Sequence, residues 1–125
     1  MRSLSVLSFA FAVLIVASGC QRDAMAPVKG RVTCNGQPVK DVTITFSPVP
    51  ESEKDKEPGK PGTGHTDAEG NFVLSTFKEY DGALIGKHRI QISIDEANPT
   101  RCVKSKTIEV EVKPGQNNFP IELND

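Results

Sequence analysis

The fold class is decided by a stretch of strict alternation, Lys87-His88-Arg89-Ile90-Gln91-Ile92-Ser93-Ile94. Side chains along a β-strand point alternately to the two faces of the sheet, so the three isoleucines and His88 share one face. The polar side chains between them share the other face. A period of two is typical of a strand that is buried on one face and solvated on the other. This stretch therefore predicts a sheet that covers a hydrophobic core.

Six other segments show strand patterns, at a spacing of about 10 residues. They lie at 28–34, 42–47, around 65–66, 71–77, 107–113 and 119–123. Turn signals such as Asn35-Gly36 separate them, and no segment has a sustained helical period. We expect the first two of these strands to pair with each other. Seven short strands, nearly all with one polar face, predict an all-β, seven-stranded antiparallel sandwich of two sheets packed face to face.

The N-terminus is typical of an exported protein. Arg2 is followed by an apolar run from Leu4 to Ala17 and then by small residues, which is the order of a signal peptide. The run is shorter than the roughly 20 apolar residues that a membrane-spanning helix needs. We therefore expect residues 1–19 to be removed during export.

The next residue, Cys20, resembles the lipid-bearing cysteine of the lipobox. Ser18 and Gly19 match that pattern, whereas Ala17 stands where Leu is preferred. The resemblance implies an anchor of several acyl chains, in which each buried CH2 contributes about 0.8 kcal/mol. The alternative, an ordinary secretory signal, would leave a free thiol near the mature N-terminus. We expect a lipoprotein of the cell envelope that faces the periplasm or the cell exterior.

The expected organisation is a signal peptide at 1–19, a lipidated tether at 20–26 and one domain at 27–125. Cleavage removes one charged residue, Arg2, so 14 of the 15 basic residues and all 16 acidic residues remain. This balance does not predict the clustered basic surface that binds nucleic acids or anionic membranes. We therefore expect membrane contact through the lipid, no nucleic-acid partner and no cofactor.

Five short motifs resemble the carboxypeptidase regulatory-like domain. They are Val28-Lys29-Gly30-Arg31-Val32, Asn35-Gly36-Gln37-Pro38-Val39, Val42-Thr43-Ile44-Thr45-Phe46, Thr66-Asp67-Ala68-Glu69-Gly70-Asn71-Phe72 and Gly86-Lys87-His88-Arg89-Ile90. The resemblance covers residues 28–112, with His88 where the family usually has Tyr. It implies a Greek-key sandwich of the transthyretin-like or immunoglobulin-like kind, commonly without enzymatic activity. The motif residues also suit turns, because Gly70 tolerates positive φ and Asp67 can accept backbone N–H bonds.

Two cysteines remain in the mature domain, Cys34 and Cys102. A disulfide is the simplest pairing in an exported protein, and closing a loop of about 68 residues would stabilise the domain by roughly 4 kcal/mol. Cys34 belongs to the inward set of its strand and Cys102 to a loop, so the geometry of a bridge is not guaranteed. Two buried free thiols are the alternative.

No metal site is predicted. The two histidines, His65 and His88, and the two cysteines of the domain are scattered and lack the paired spacing of zinc ligands. The alternating oxygen ligands of the Asp67 turn resemble a calcium loop, but Gly70 falls too early for one. A solvated hairpin turn explains these residues better.

No catalytic site is predicted either. Ser75 and Lys78 match a Ser-x-x-Lys motif, but residues three apart on a strand point to opposite faces. An isopeptide bond between Lys29 and Asn118 would need a buried lysine, and Lys29 belongs to the outward set of its strand. Both patterns are therefore interpreted as chance matches.

We expect a non-enzymatic envelope lipoprotein that acts as a structural or protein-interaction module. Its predicted contact surfaces are the loops around 51–64 and 96–104, because loops on a rigid scaffold often carry binding residues. The partner would be an envelope protein or a glycan. The alternative is a ligand-binding module for carbohydrate, peptide or divalent metal, although the single Tyr80 and the lack of Trp count against carbohydrate. A hydrolase with a site assembled from scattered residues is a third hypothesis.

Overall fold

The computed structural model describes residues 24–50, 58–94, 102 and 107–124. These residues form ten β-strands and no helix, which confirms the prediction of an all-β fold. The strands are β1 (Met25–Ala26), β2 (Val28–Cys34), β3 (Gln37–Pro38), β4 (Val42–Pro48), β5 (Gly62–His65), β6 (Asn71–Val73), β7 (Ala83–Leu84), β8 (Gly86–Ile94), β9 (Ile108–Val112) and β10 (Asn117–Leu123). In this part of the chain, no helix is long and apolar enough to cross a membrane.

The strands form two four-stranded sheets and one two-stranded ladder. One sheet has the order β5-β4-β8-β9, and all its pairs are antiparallel. In the other sheet, β2 pairs with β10 along one edge and with both β3 and β6 along the opposite edge. The short strands β1 and β7 pair with each other outside both sheets.

The seven longer strands lie where the alternation of the sequence predicted strands. The three additional strands, β1, β3 and β7, have two residues each. A period of two cannot be recognised over two residues, so the sequence pattern could not show them. Three predicted boundaries were wrong, because β5 already begins at Gly62, β6 already ends at Val73 and β10 already begins at Asn117.

The two sheets share one hydrophobic core. Phe46 of β4 is fully buried, and its ring centroid lies 6.4 Å from that of Phe72 and 5.5 Å from that of Phe119. Phe72 lies on β6 and Phe119 on β10, so these ring contacts join the two sheets. The His88 ring of β8 packs on Phe46 at 5.9 Å.

One ladder departs from the antiparallel prediction. β10 runs parallel to β2, with Asn117 opposite Val28 and Leu123 opposite Cys34. A tight turn imposes antiparallel pairing on consecutive strands, whereas a parallel pair needs a crossover of a dozen or more residues. Because β2 and β10 are separated by most of the domain, the chain can make this crossover. The prediction of an entirely antiparallel sandwich is wrong at this pair.

The predicted pairing of the first two long strands is also wrong. β2 turns back through Asn35 and Gly36, which have φ angles of 50° and 84°, and pairs with the short strand β3. The chain then passes the buried Val39 and turns at Asp41, whose φ is 60°. β4 then begins in the opposite sheet, and the rest of this edge of β2 pairs with β6.

Two residues of the predicted tether belong to the fold. Met25 and Ala26 form β1 opposite β7, and Ala26 is buried in the core. Ile85 also donates its backbone N–H to the carbonyl oxygen of Ala24 at 2.8 Å. The domain was predicted to begin at residue 27, but the fold also includes residues 24–26.

Candidate functional site between strands β5 and β6

A groove of about 510 Å³ lies where β5, at the edge of one sheet, approaches β6, at the edge of the other. This volume falls within the range of small-molecule binding sites. The polar side chains of the groove include His65, Asp67, Asn71 and Glu79, and Tyr80 is its aromatic residue with an exposed ring. The groove therefore combines hydrogen-bonding groups with an aromatic surface.

Glycine allows the two edge strands to approach each other. A Cβ atom on Gly64 would lie 2.8 Å from the carbonyl oxygen of Val73 and 3.1 Å from the Leu74 side chain. At this junction Thr63 and Ser75 exchange backbone hydrogen bonds of 2.9 Å in both directions. Glycine inside a strand commonly marks such a close approach of two backbones. Backbone hydrogen bonds consequently join the two sheet edges at this point of the groove.

The Asp67 turn forms one end of the groove. Oδ1 of Asp67 accepts the backbone N–H of Glu69 at 2.9 Å and that of Asn71 at 3.0 Å. Gly70, whose φ is 79°, donates its N–H to the carbonyl oxygen of Asp67 at 3.0 Å. These bonds confirm the predicted role of Asp67 as a turn acceptor. They leave Oδ2 without a hydrogen-bond partner among the described residues.

His65 stands beside this turn on the solvent face of β5. Its Nδ1 lies 3.3 Å from Oγ1 of Thr43, and its Nε2 lies 3.6 Å from Oδ1 of Asp41. Both contacts are exposed, so the imidazole is oriented by its neighbours and stays accessible from the groove.

The opposite end of the groove is a loop at 76–81, which is held by one carboxylate. Asp81 accepts the backbone N–H of Thr76 at 2.7 Å, that of Phe77 at 3.0 Å and that of Lys78 at 2.9 Å. The sequence pattern predicted a strand up to Phe77. It failed because the side chain of Asp81 bonds the N–H groups that a strand ladder would have used.

This loop holds two aromatic side chains in solvent. Phe77 is 59% exposed and Tyr80 is 65% exposed. Tyr80 has a φ of 59°, which is uncommon for a residue other than glycine, and its N–H is bonded to Oγ of Ser75 at 2.8 Å. The Lys60 ammonium lies 5.4 Å from the centre of the Phe77 ring. A constrained backbone therefore presents aromatic surface that the core does not use.

We expect Asp81→Asn to lower the free energy of unfolding at pH 7 by about 2 kcal/mol, because hydrogen bonds to a charged group are lost. Burial raises the pKa of Asp81, but the N–H donors of Thr76, Lys78 and Phe77 outweigh it and hold the pKa below its ordinary value. A lowered pKa in the folded state stabilises the protein above the unfolded pKa, and this contribution is lost as pH falls through the folded value.

Urea unfolding at several pH values tests this prediction. The difference between wild type and Asp81→Asn should be full at pH 7 and should shrink below about pH 4. Glu79→Gln is the matched control on the same loop, because no hydrogen bond joins its carboxylate to the loop backbone in the described part of the chain. A difference that stays constant down to pH 2 would refute the proposed role of the Asp81 carboxylate.

The predicted lipidation site and most of the predicted contact loops lie outside the described residues. Cys20 is among these undescribed residues, as are 51–57, 95–101 and 103–106. Of the first contact loop the structure describes 58–64, and residues 62–64 belong to β5 and line or flank the groove. The signal peptide, the lipid anchor and the second contact loop therefore stay predictions.

Cys34 and Cys102 form a disulfide bond, with their Cα atoms 5.9 Å apart. Cys34 is the last residue of β2, and Cys102 is buried in the core at 1% exposure. Of the two arrangements that the sequence left open, the structure has the bridged one. The bond ties the chain between β8 and β9 to the core.

The chance motifs have structural explanations. Oγ of Ser75 accepts the Tyr80 N–H, so this hydroxyl supports the loop, and Lys78 lies in the loop beyond it. Lys29 and Asn118 stand opposite each other in the β2–β10 ladder, but both are exposed. The buried environment that an isopeptide bond would need does not surround this pair.

His88 is a core residue. Its Nε2 lies 2.6 Å from the carbonyl oxygen of Leu84, and because a carbonyl can only accept, Nε2 is assigned as the protonated nitrogen. Nδ1 is buried without a hydrogen-bond partner among the described residues. His88 therefore ties the turn between β7 and β8 to the core and lies outside the groove lining.

Tyr80 is the groove residue that sequence reasoning missed. The sequence predicted no site at Tyr80, and the single tyrosine counted as an argument against carbohydrate binding. A usable signal was present in Gly62-Thr63-Gly64, because alternate glycines in a strand indicate a close backbone approach. The sequence could not show that Asp67 and Tyr80 line the same groove, because only the contact between the two sheets brings them to it.

No family model matches the chain, and no curated protein matches it. Among solved structures, the chain is similar to a DUF3823 family protein from Parabacteroides merdae, with a TM-score of 0.54 and 17% sequence identity over 82% of this chain and 47% of that one. A DUF3823 family protein from Bacteroides ovatus has a TM-score of 0.47 and 12% identity, over 80% of this chain and 44% of that one. The chain thus spans about half the length of these proteins. The first similarity supports the β-rich fold alone.

Proposed function

We propose that this protein is an exported lipoprotein, acylated at Cys20 and anchored in the cell envelope, whose domain binds a ligand without catalysing a reaction. The proposed anchor is supported by the order of the N-terminal sequence, in which Arg2, an apolar run and three small residues precede Cys20. The domain begins at or before Ala24, so only a few residues would separate the lipid from the fold. Such a short tether would hold the domain close to the membrane surface.

We further propose that the domain is a carboxypeptidase regulatory-like sandwich with Greek-key connections. The sharing of one core by two sheets supports this assignment. So do the motif turns, because Asn35 and Gly36 have positive φ and Asp67 accepts two backbone N–H groups. These motif residues have structural roles in turns, which agrees with a domain that binds a ligand and does not catalyse a reaction.

The observation that carries the binding role is the rigid display of Phe77 and Tyr80 beside the groove. Large apolar side chains are normally buried, and exposed ones that are held in place commonly mark a binding surface. Here the Asp81 carboxylate and the Ser75 hydroxyl fix the loop backbone. A fixed loop loses little conformational entropy when a ligand binds, which favours affinity.

A photo-crosslinking experiment in the native host tests this role. Benzoylphenylalanine replaces Phe77 in the 76–81 loop that carries Tyr80 or, as the control, Glu111 on the exposed face of β9. We expect a light-dependent adduct from position 77 and none from position 111. The mass and protease sensitivity of the adduct then distinguish a protein partner from a glycan. The absence of an adduct at position 77, or equal adducts at both positions, would contradict a binding role for this surface.

The proposed anchor predicts the behaviour of Cys20→Ala. Wild-type protein from membranes of the host is expected to begin at Cys20 and to carry the mass of several acyl chains, because one chain alone binds a membrane only weakly. Cys20→Ala should lack these chains and leave the membrane fraction. Intact-mass measurement and fractionation check both results. An unacylated wild-type protein would refute the lipoprotein assignment.

A further inference from the structure

We propose that the groove between β5 and β6 binds a neutral saccharide, with the Tyr80 ring as the stacking surface and the Asp67 turn as the hydrogen-bonding end. This inference rests on the proposed binding role and names its ligand class. A sugar ring has an apolar C–H face and a rim of hydroxyl groups. The groove offers complementary surfaces at its two ends.

The Tyr80 end supplies the apolar surface. The ring is 65% exposed, and its backbone is held in a positive-φ conformation by the Ser75 hydroxyl. The face of an aromatic ring carries partial negative charge, so it attracts the slightly positive C–H face of a sugar. Val73 is 41% exposed and extends this apolar surface along the floor of the groove. Both side chains therefore offer apolar surface that the core leaves uncovered.

The Asp67 end supplies hydrogen-bonding groups in fixed positions. Oδ1 of Asp67 is used by its own turn, while Oδ2 has no partner within the described chain and can accept from a hydroxyl group. The Asn71 amide donates to Oε2 of Glu69 at 3.4 Å, a long bond that leaves it able to contact a ligand. Because the turn backbone is already bonded, these groups are preorganised.

The charges of the groove favour a neutral ligand over an anionic one. Asp67 and Glu79 place one carboxylate near each end, and the basic side chain in the lining is His65. Its imidazole already faces the Asp41 carboxylate at 3.6 Å. A phosphate, a sulfate or an acidic sugar would meet like charge at both ends of the groove.

Strand addition by a peptide is less favoured at this place. A peptide that extends a sheet must bond the free backbone groups of an edge strand. The N–H and the carbonyl of Thr63 that face β6 are already bonded to Ser75. A peptide could therefore not pair with β5 at Thr63, so a saccharide fits this part of the groove better.

The first experiment applies the full mature protein in detergent to an array of neutral oligosaccharides built from glucose, mannose, galactose, xylose and N-acetylglucosamine. The tightest binder is then measured by calorimetry against four variants. We expect Tyr80→Ala to weaken binding by about 10-fold or more and Tyr80→Trp to retain it, because indole also stacks. Ile85→Ala is the control, since this exposed apolar side chain lies outside both the groove lining and the 76–81 loop. It should bind as wild type does.

Glu79→Gln tests the carboxylate near the Tyr80 end of the groove. The substitution removes charge but keeps a hydrogen-bonding oxygen, so affinity for a neutral sugar should fall less than it does in Tyr80→Ala. A larger loss than in Tyr80→Ala, equal losses in Tyr80→Ala and Ile85→Ala, or binding to none of the neutral glycans would overturn the saccharide inference. If adducts at position 77 still form in cells while no glycan binds, the proposed binding role stands and the ligand is of another class.

Discussion

Replacing both Cys34 and Cys102 with alanine is expected to lower the free energy of unfolding by about 4 kcal/mol. The bond spans 68 residues, and in the chain-entropy model opening a loop of this length lowers the free energy of the unfolded state by roughly that amount. A domain of this size is stable by only about 5–15 kcal/mol, so the loss is a large part of the total. The melting temperature should fall by on the order of 20 °C.

Urea unfolding with and without dithiothreitol checks this result. Reduced wild type should unfold at the same urea concentration as the double variant, and the reductant should not affect the double variant itself. Thiol counting provides a second control, with Cys20→Ala as the background. Denatured but unreduced protein should label no thiols, and reduced protein should label two. Two reactive thiols before reduction would contradict this prediction. So would equal urea midpoints for oxidised wild type, reduced wild type and the double variant.

We expect Phe46→Ala to lower the free energy of unfolding by about 3–5 kcal/mol, the usual cost of deleting a fully buried phenylalanine. The ring contacts Phe72, Phe119 and His88, which come from both sheets. Its removal leaves a cavity at the place where the sheets meet, and rigid strands cannot close around it completely. Phe46→Leu should cost less, because it fills part of this volume.

Phe77→Ala is the matched control for the core substitution. Phe77 is 59% exposed, and its Lys60 contact is of a kind worth less than about 1 kcal/mol at an exposed site. Chemical denaturation should therefore show a large loss for Phe46→Ala and almost none for Phe77→Ala. Similar losses of stability would mean that Phe77 is a structural residue and that its exposure does not mark a binding surface at the 76–81 loop.

Prediction and structure agree best in the strands where every second side chain is buried. β4 and β8 were located from their alternation because burial of one face selects apolar side chains at a period of two. The hairpin at Asn35 and Gly36 and the turn at Asp67 were also predicted. Their residue types fix local backbone geometry, whatever the rest of the chain does.

The prediction failed where a side chain or a distant strand competed with the local pattern. Asp81 ended the strand predicted up to Phe77 by bonding three backbone N–H groups. β10 joined β2 in parallel because no short turn constrains strands that are far apart in sequence. β2 paired with β3 and β6, and β4 joined the opposite sheet. The alternation of apolar and polar residues is the same whichever strands pair, so the sequence pattern could not predict these outcomes.

The sequence by itself determined an all-β domain, the places of its seven longer strands and the turn residues between them. These properties follow from local backbone preferences and from alternating burial, which act within a few neighbouring residues. Only the tertiary structure decided which strands pair and which side chains share the groove. Tyr80 and Asp67 are 13 positions apart on different sides of β6, and they line one groove because glycine lets two sheet edges meet. Contacts between sheets depend on the whole packed core, and no local stretch of sequence specifies them.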